Sequence, residues 1–253
     1  MDEETGNFYS ALADHYHLIF EDWDASIARQ VRILNPLISS KIPGHSLKIL
    51  DCACGIGTQS LGFASSGHRV VGSDLSPAAI ARARREAQSR NLQIEFRVAD
   101  MTSLVGIESG FDVVAALDNA LPHLTSEQLA CALPSIASRL KPRGLFLASI
   151  RDYDALILTK PASEGPTFYG KPGNRRIIHQ IWDWTDEKSY KLHLFITQEK
   201  GSAWTSHHFV ALYRCLLRDE LSAALYAAGF DQLEWLMPGE SAYYQPIVLA
   251  RKS

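Results

Sequence analysis

Ile49-Leu50-Asp51-Cys52-Ala53-Cys54-Gly55-Ile56-Gly57-Thr58 is a short apolar run that ends in a carboxylate and breaks into a glycine turn. The run predicts a buried strand over 47–52, and the turn predicts entry into a helix over 58–65. Glycine lets the backbone approach a ligand closely, and a helix start leaves unpaired N–H donors beside it. Open α/β sheets bind ligands at the carboxyl ends of their strands. This turn is therefore the first candidate site.

Working downstream, the same alternation repeats. Strands are predicted over 69–73, 93–98, 111–117 and 145–150, the last entered through a turn at Lys141-Pro142-Arg143-Gly144. Helices are predicted over 77–89, with Ser76 as N-cap and Pro77 in its first turn, and over 126–140. Strands alternating with helices predict a parallel sheet covered on both faces. After residue 150 the apolar period switches to two: Tyr190, Leu192, Leu194 and Ile196 share one strand face, and 175–184 and 204–214 look extended. These predict antiparallel strands, with a hairpin at Asp186-Glu187-Lys188. A helix over 218–228 stopped by Gly229, then strands over 230–236 and 243–250, close the chain. Upstream, residues 8–40 carry helical spacing, with Pro36 marking a break or kink. The expected architecture is an α/β, Rossmann-like, seven-stranded, mostly parallel sheet flanked by helices, with an antiparallel β insertion after the fifth strand. Its expected parts are a helical cap (1–45), a cofactor-binding core (46–150), an inserted lid (151–215) and the core's last helix and strands (216–253), all in one domain.

Composition narrows the partners. The 253 residues carry a net charge of −3 and no basic run, whereas phosphate backbones require clustered Lys and Arg. Nucleic acid is not expected. No apolar run approaches the roughly 20 residues of a membrane helix, and the acidic opening MDEETGNFYS is unlike a secretory leader. The spacing of Cys52, Cys54, Cys131 and Cys215 fits neither a zinc knuckle nor a disulfide frame. Reduced thiols in a cytoplasmic protein are expected. No metal site is expected either, since His179, His193, His207 and His208 would need one particular register to share an ion.

Two further carboxylates follow the glycine turn. Asp74 ends the second strand, where an acidic residue can accept from both ribose hydroxyls. Asp100 ends the third, where it could accept from an adenine amine while Met101 packs on the ring. A nicotinamide Rossmann site competes for this pattern, but the third glycine of G-x-G-x-x-G is Ser60, and Asp51 suits a ligand bearing an ammonium group. On residue type alone, Arg151 reads as a surface ion-pair partner, Asn119 as a turn residue and His123 as a core histidine.

The glycine motif, Asp74, Asp100 and Phe111-Asp112-Val113-Val114 together resemble class I S-adenosylmethionine-dependent methyltransferases. The resemblance implies cofactor contacts from Asp51, Ala53, Gly55, Gly57, Asp74, Leu75, Asp100, Met101 and Leu117. Leu12-Ala13-Asp14-His15-Tyr16 resembles a Leu-Ala-x-x-Tyr stretch of small-molecule members, which implies Tyr16 near the methionine moiety or the acceptor. A narrower similarity is to glycine N-methyltransferases. Leu117-Asp118-Asn119-Ala120-Leu121-Pro122-His123-Leu124 resembles their Leu-Gly-Asn-Ser-Phe-Ala-His-Leu, with Asp118 in place of the glycine, and Arg151-Asp152-Tyr153-Asp154 resembles their Arg-Asn-Tyr-Asp. This implies Arg151 as anchor of an acceptor carboxylate and makes Asn119, His123 and Tyr16 the catalytic candidates. Tyr153, Tyr169, Trp182 and Tyr213 complete the expected acceptor site, with Trp184 and Trp204 as further lid aromatics that could equally pack the sheet or form a dimer surface.

The resulting expectation is methyl transfer to a small molecule, foremost the nitrogen of an amino acid or related amine. An O- or C-methyltransferase with a base drawn from His123, His179, His207 and His208 is the alternative. An NAD-dependent oxidoreductase or a non-catalytic cofactor-binding module comes from another class. Homo-oligomerisation stays open.

Overall fold

Near-continuous apolar runs form strands that are covered on both faces, and here they build the centre of the sheet. The computed structural model describes residues 3–253, with side chains from residue 6 onward, so the opening acidic stretch lies partly outside the described residues. Helix α1 (Glu3–Leu12), a 3-10 turn at Tyr16–Ile19 and α2 (Trp23–Lys41) come first. The helical stretch expected over 8–40 is therefore two helices, because Asp22 caps a new one by accepting from the Ala25 N–H at 2.9 Å. Pro36 does not interrupt α2. It lies on the exposed side, so water satisfies the carbonyl that its missing N–H leaves free.

The core then runs β1 (Lys48–Asp51), α3 (Thr58–Ser65), β2 (Arg69–Asp74), α4 (Pro77–Ser89), β3 (Glu95–Val98), β4 (Phe111–Ala116), α5 (Ser126–Arg139) and β5 (Leu140–Ser149). After the insertion come α7 (Arg218–Ala227), β10 (Phe230–Leu236), α8 (Pro238–Ser241) and β11 (Ile247–Lys252). The seven strands lie in the order β10-β11-β5-β4-β1-β2-β3, and β11 runs antiparallel to both its neighbours. Order reverses at β1, so β1 and β4 open the crevice that binds ligands in such sheets. Two boundaries differ from expectation. Lys141–Gly144 is a bulge inside β5 rather than a turn before it, because Phe111 pairs with Leu140 and Val113 already pairs with Leu145. The last strand starts at Ile247 rather than 243, because Ala242 turns left-handed and Pro246 has no N–H for the ladder.

The insertion holds α6 (Tyr153–Thr159) and a four-stranded antiparallel sheet in the order β6 (Ser163–Tyr169), β7 (Arg176–Trp184), β8 (Ser189–Lys200) and β9 (Ala203–Arg214). Neither α6 nor β6 follows from apolar periodicity. β6 is an exposed edge strand, irregular at Gly165-Pro166, without a buried face to pattern it. One face of the insertion is buried. Trp182, Tyr190, Leu192 and Tyr213 belong to the same apolar cluster as Leu50, Val114 and Phe146 of the parallel sheet and Phe8 and Leu12 of α1. The lid thus packs into the core.

Candidate active site

The glycine turn owes its shape to named bonds. Beyond β1, the Cys52 N–H donates to the Ala115 carbonyl and the Cys54 N–H to that of Ser73, both at 2.9 Å. Gly55 and Gly57 then take left-handed φ of 52° and 98°, and Gly57 begins α3. The Asp74 carboxylate ties this turn to β2, accepting from the Gly55 N–H on Oδ2 and the Ser76 N–H on Oδ1, each at 2.9 Å. Burial raises the Asp74 pKa, and the Ser76, Gly55 and Leu75 N–H groups oppose that rise. Each oxygen keeps a lone pair that can face a diol.

A cleft of about 690 Å³ opens over this turn. Of the expected cofactor residues, Ala53, Gly55, Asp74, Leu75, Met101, Leu117 and Tyr16 line it. Three do not. Asp51 lies one layer beneath, with Oδ2 accepting from Ser60 Oγ at 2.7 Å and Oδ1 without a hydrogen-bond partner among the described residues. Burial lifts its pKa to about 7 against the Ser60 bond that lowers it, and the Asp118 and Asp74 charges add to the rise. Gly57, at the N-cap of α3, serves the helix start, and a Cβ there would meet Ala83 and Leu61 at 3.5 Å. Asp100 holds its own turn, accepting from the Thr102 N–H at 2.8 Å. Its neighbours Ala99 and Met101 reach the cleft instead. The lining suits the implied cofactor, with a paired-oxygen acceptor in Asp74 and the apolar Met101 and Leu117, and the Asp51 carboxyl beneath the cleft can face a cation.

His123 lies on the cofactor side and not in the lining of the acceptor cavity. Its Nε2 meets the Tyr9 hydroxyl at 2.8 Å, and its ring packs on Tyr213 with centroids 4.1 Å apart. Tyr9 comes from α1, whose Ser10 also meets Ser76 Oγ at 2.9 Å, so this helix spans the cleft.

A second cavity of about 1880 Å³ lies between the core and the lid. Asn119, Arg151, Tyr169, Trp182 and Tyr213 line it as expected, whereas Tyr153 is fully buried beneath it. Asn119 donates from Nδ2 to Tyr153 Oη at 2.8 Å and accepts the Arg151 N–H on Oδ1 at 3.0 Å. With both ends engaged, Asn119 positions the Arg151 backbone. The Arg151 guanidinium donates to Tyr190 Oη at 3.0 Å and Gln180 Oε1 at 3.2 Å, and stacks 4.7 Å from the Trp182 ring. Both hydrogen-bond partners are neutral. Burial opposes its charge, but the electrostatic interactions with Tyr190, Tyr153, Tyr213 and the Glu164 carboxylate of the same lining outweigh burial and hold its pKa above the usual arginine value, so it stays cationic.

Of the other histidines, His179 lines this cavity, while His193 bonds His208 at 2.9 Å and Asp183 at 3.1 Å on the lid, outside both linings. His207 packs on His15, with ring centroids 4.0 Å apart. Trp204 is exposed over Arg175 rather than lining the site. Reading the sequence missed Tyr9, Gln180 and Tyr190, and passed over Asp118 as a departure. Only Asp118 carried a signal, a charge where the resembling motif has a glycine.

Residues 49–144 match the family described as a methyltransferase domain. The ubiquinone biosynthesis O-methyltransferase of Xanthomonas axonopodis pv. citri is 29% identical over 157 residues, covering 58% of this chain and 64% of the relative. Rat glycine N-methyltransferase is 31% identical over 137 residues, covering 49% of this chain and 47% of the relative. The aligned stretch thus spans less than two thirds of these relatives' own length. Among solved structures, an S-adenosylmethionine-bound amino pentose methyltransferase from Micromonospora echinaspora superposes with a TM-score of 0.74 at 19% identity, covering 90% of this chain and 92% of the other. The oxidoreductase alternative has no support among these relatives.

Proposed function

We propose that this chain is a class I S-adenosylmethionine-dependent methyltransferase, a reading supported by the methyltransferase-domain match over residues 49–144 and by the superposed cofactor-bound structure, and that it methylates the nitrogen of a small acceptor that also bears a carboxylate. One observation carries the acceptor reading. Arg151 is a cation at the wall of the larger cavity, and the two side-chain oxygens that it binds are neutral. Its guanidinium has five N–H donors, and a carboxylate uses two of them in the planar fork.

The cofactor supplies an electrophilic methyl group; the protein's part is to position and to exclude water. Asp74 and the glycine turn hold the ribose side of the cleft. Tyr9 and Tyr16 line both cavities and stand where the two meet. Arg151, fixed from behind by Asn119 and stacked on Trp182, orients the acceptor from the far end. A neutral amine carries its own lone pair and needs no dedicated base. A hydroxyl acceptor does, and His123 beside the cofactor cleft is the observation that favours that second reading. The four unpaired thiols suit a reducing cytoplasm.

Labelled cofactor incubated with amino acids, matched amines lacking the carboxylate, and phenols separates these readings. Arg151→Gln is expected to raise KM for the carboxylate-bearing amine about 10- to 100-fold, the cost of one charge-assisted pair. KM for the matched simple amine is expected to change little. An unchanged KM for both acceptors removes the anchoring role, and transfer to phenols alone sinks the amine reading.

A further inference from the structure

Tyr9, Tyr16 and Asp118 are the residues common to the linings of the cofactor cleft and the acceptor cavity. The transferred methyl group must pass where the two meet, and Asp118 is the carboxylate at that junction. Its backbone is left-handed, with φ of 55°, which Asp tolerates better than most residues. The Asp118 N–H donates to Ser149 Oγ at 2.9 Å. The carboxylate is held by three neutral donors, one from α3 and two from the loop before β11. Gln59 Nε2 of α3 donates to Oδ2 at 2.7 Å, the Tyr243 hydroxyl donates to Oδ1 at 2.6 Å, and the Tyr244 hydroxyl reaches the same oxygen. Burial, with Asp118 opposite, keeps the Tyr243 hydroxyl protonated and therefore a donor. Three donors fill three of about four acceptor positions on a carboxylate, so about one remains for a further donor, and Asp118 lines both cavities.

We propose that Asp118 binds the acceptor nitrogen: a fixed anion that receives one of its N–H bonds and stabilises the positive charge as it moves from sulfur to nitrogen. This rests on the amine reading above. In the step, the nitrogen lone pair forms the new C–N bond, the C–S bond breaks with its electron pair remaining on sulfur, and the positive charge passes to nitrogen. The surplus N–H proton then leaves to water. A preorganised carboxylate stabilises charge that develops beside it more than charge that was remote from it. With Arg151 at the far wall, the site recognises both ends of a zwitterion.

Sinefungin carries an amine in place of the sulfonium methyl, so its ratio of affinity to that of S-adenosylhomocysteine reads the potential at this junction without any acceptor. Calorimetry on the wild-type protein is expected to give a preference for sinefungin of tenfold or more. Asp118→Asn keeps the left-handed backbone and the hydroxyl contacts. It is expected to cut that preference at least fivefold while S-adenosylhomocysteine binds within about twofold of wild type. Asp118→Gly, which the backbone also accommodates, is expected to do the same. An unchanged ratio in both variants, or equal losses for the two ligands, overturns the assignment while amine transfer by the wild type stands. Wild-type transfer confined to hydroxyl acceptors overturns nitrogen binding together with the amine reading.

Discussion

Asp51 is a buried carboxyl whose one side-chain hydrogen-bond partner among the described residues is the Ser60 hydroxyl, and its pKa near 7 puts its titration within reach of ordinary assays. An unfolded Asp titrates near 3.9, so the cofactor-free fold holds the proton more tightly than the unfolded chain. Stability of that fold therefore falls as pH rises from about 4 to about 7 and levels off above. Asp51→Asn removes the dependence, and thermal melts without cofactor are expected to show the variant more stable at pH 8, with the gap closing toward pH 4. A cationic ligand prefers the ionised carboxyl. Its affinity is expected to rise with pH through about 7, by up to about tenfold per unit below that point, and to lose this slope in Asp51→Asn. Asp74 acts through hydrogen bonds instead. Asp74→Ala is expected to weaken S-adenosylmethionine binding about 10- to 100-fold by calorimetry, as losing charge-assisted bonds does. Both carboxylates were legible in the sequence because each ends a strand beside the glycine turn. The placement of Asp51 beneath the cleft was not, because a strand end does not say whether its side chain lies in the cleft or under it.

Strand β2 shows how an element sets the site from behind. A Cβ on Gly72 would stand 2.6 Å from the Phe96 ring and 3.2 Å from Cys54 Sγ. The strand can therefore lie under the cofactor turn only because this residue lacks a side chain. Gly72→Ala is expected to cost about 1–3 kcal/mol in denaturant unfolding, the usual cost of overpacking, and to weaken cofactor binding through Cys54. Phe96→Leu in the same chain is expected to restore part of both. The lid strands act on the other cavity in the same way. Their alternation was visible in Tyr190, Leu192, Leu194 and Ile196. Which rings would stack was not, because that depends on register. Trp182, Tyr190 and Tyr213 lie in a stacked row with centroids 4.7 and 5.5 Å apart, and this row carries Arg151. The half-buried Arg151 hydrogen bond to Tyr190 depends on it.

Across the whole molecule, two sheets and one helix close around the cofactor cleft. Helix α1 reaches Ser76 through Ser10 and His123 through Tyr9, while the His123 ring leans on the lid residue Tyr213. Ligand that binds only the folded form stabilises it by about 2.7 kcal/mol at a hundred times Kd. Hydrogen exchange with S-adenosylhomocysteine present is expected to slow in residues 6–12 as well as in the glycine turn, and slowing confined to the turn would separate α1 from the site. The parallel core, its helix starts and its glycine turn were determined by the sequence itself, since apolar period, Ser76, Pro77 and the strand-end carboxylates are local in the chain. The junction of the two cavities was decided only by the tertiary structure. It joins Tyr9 and Tyr16 to Asp118 of the core, backed by Gln59 and Tyr243 from the two sides of the fold. Side chains so far apart in the chain meet through packing and register, and neither leaves a periodic trace in the sequence.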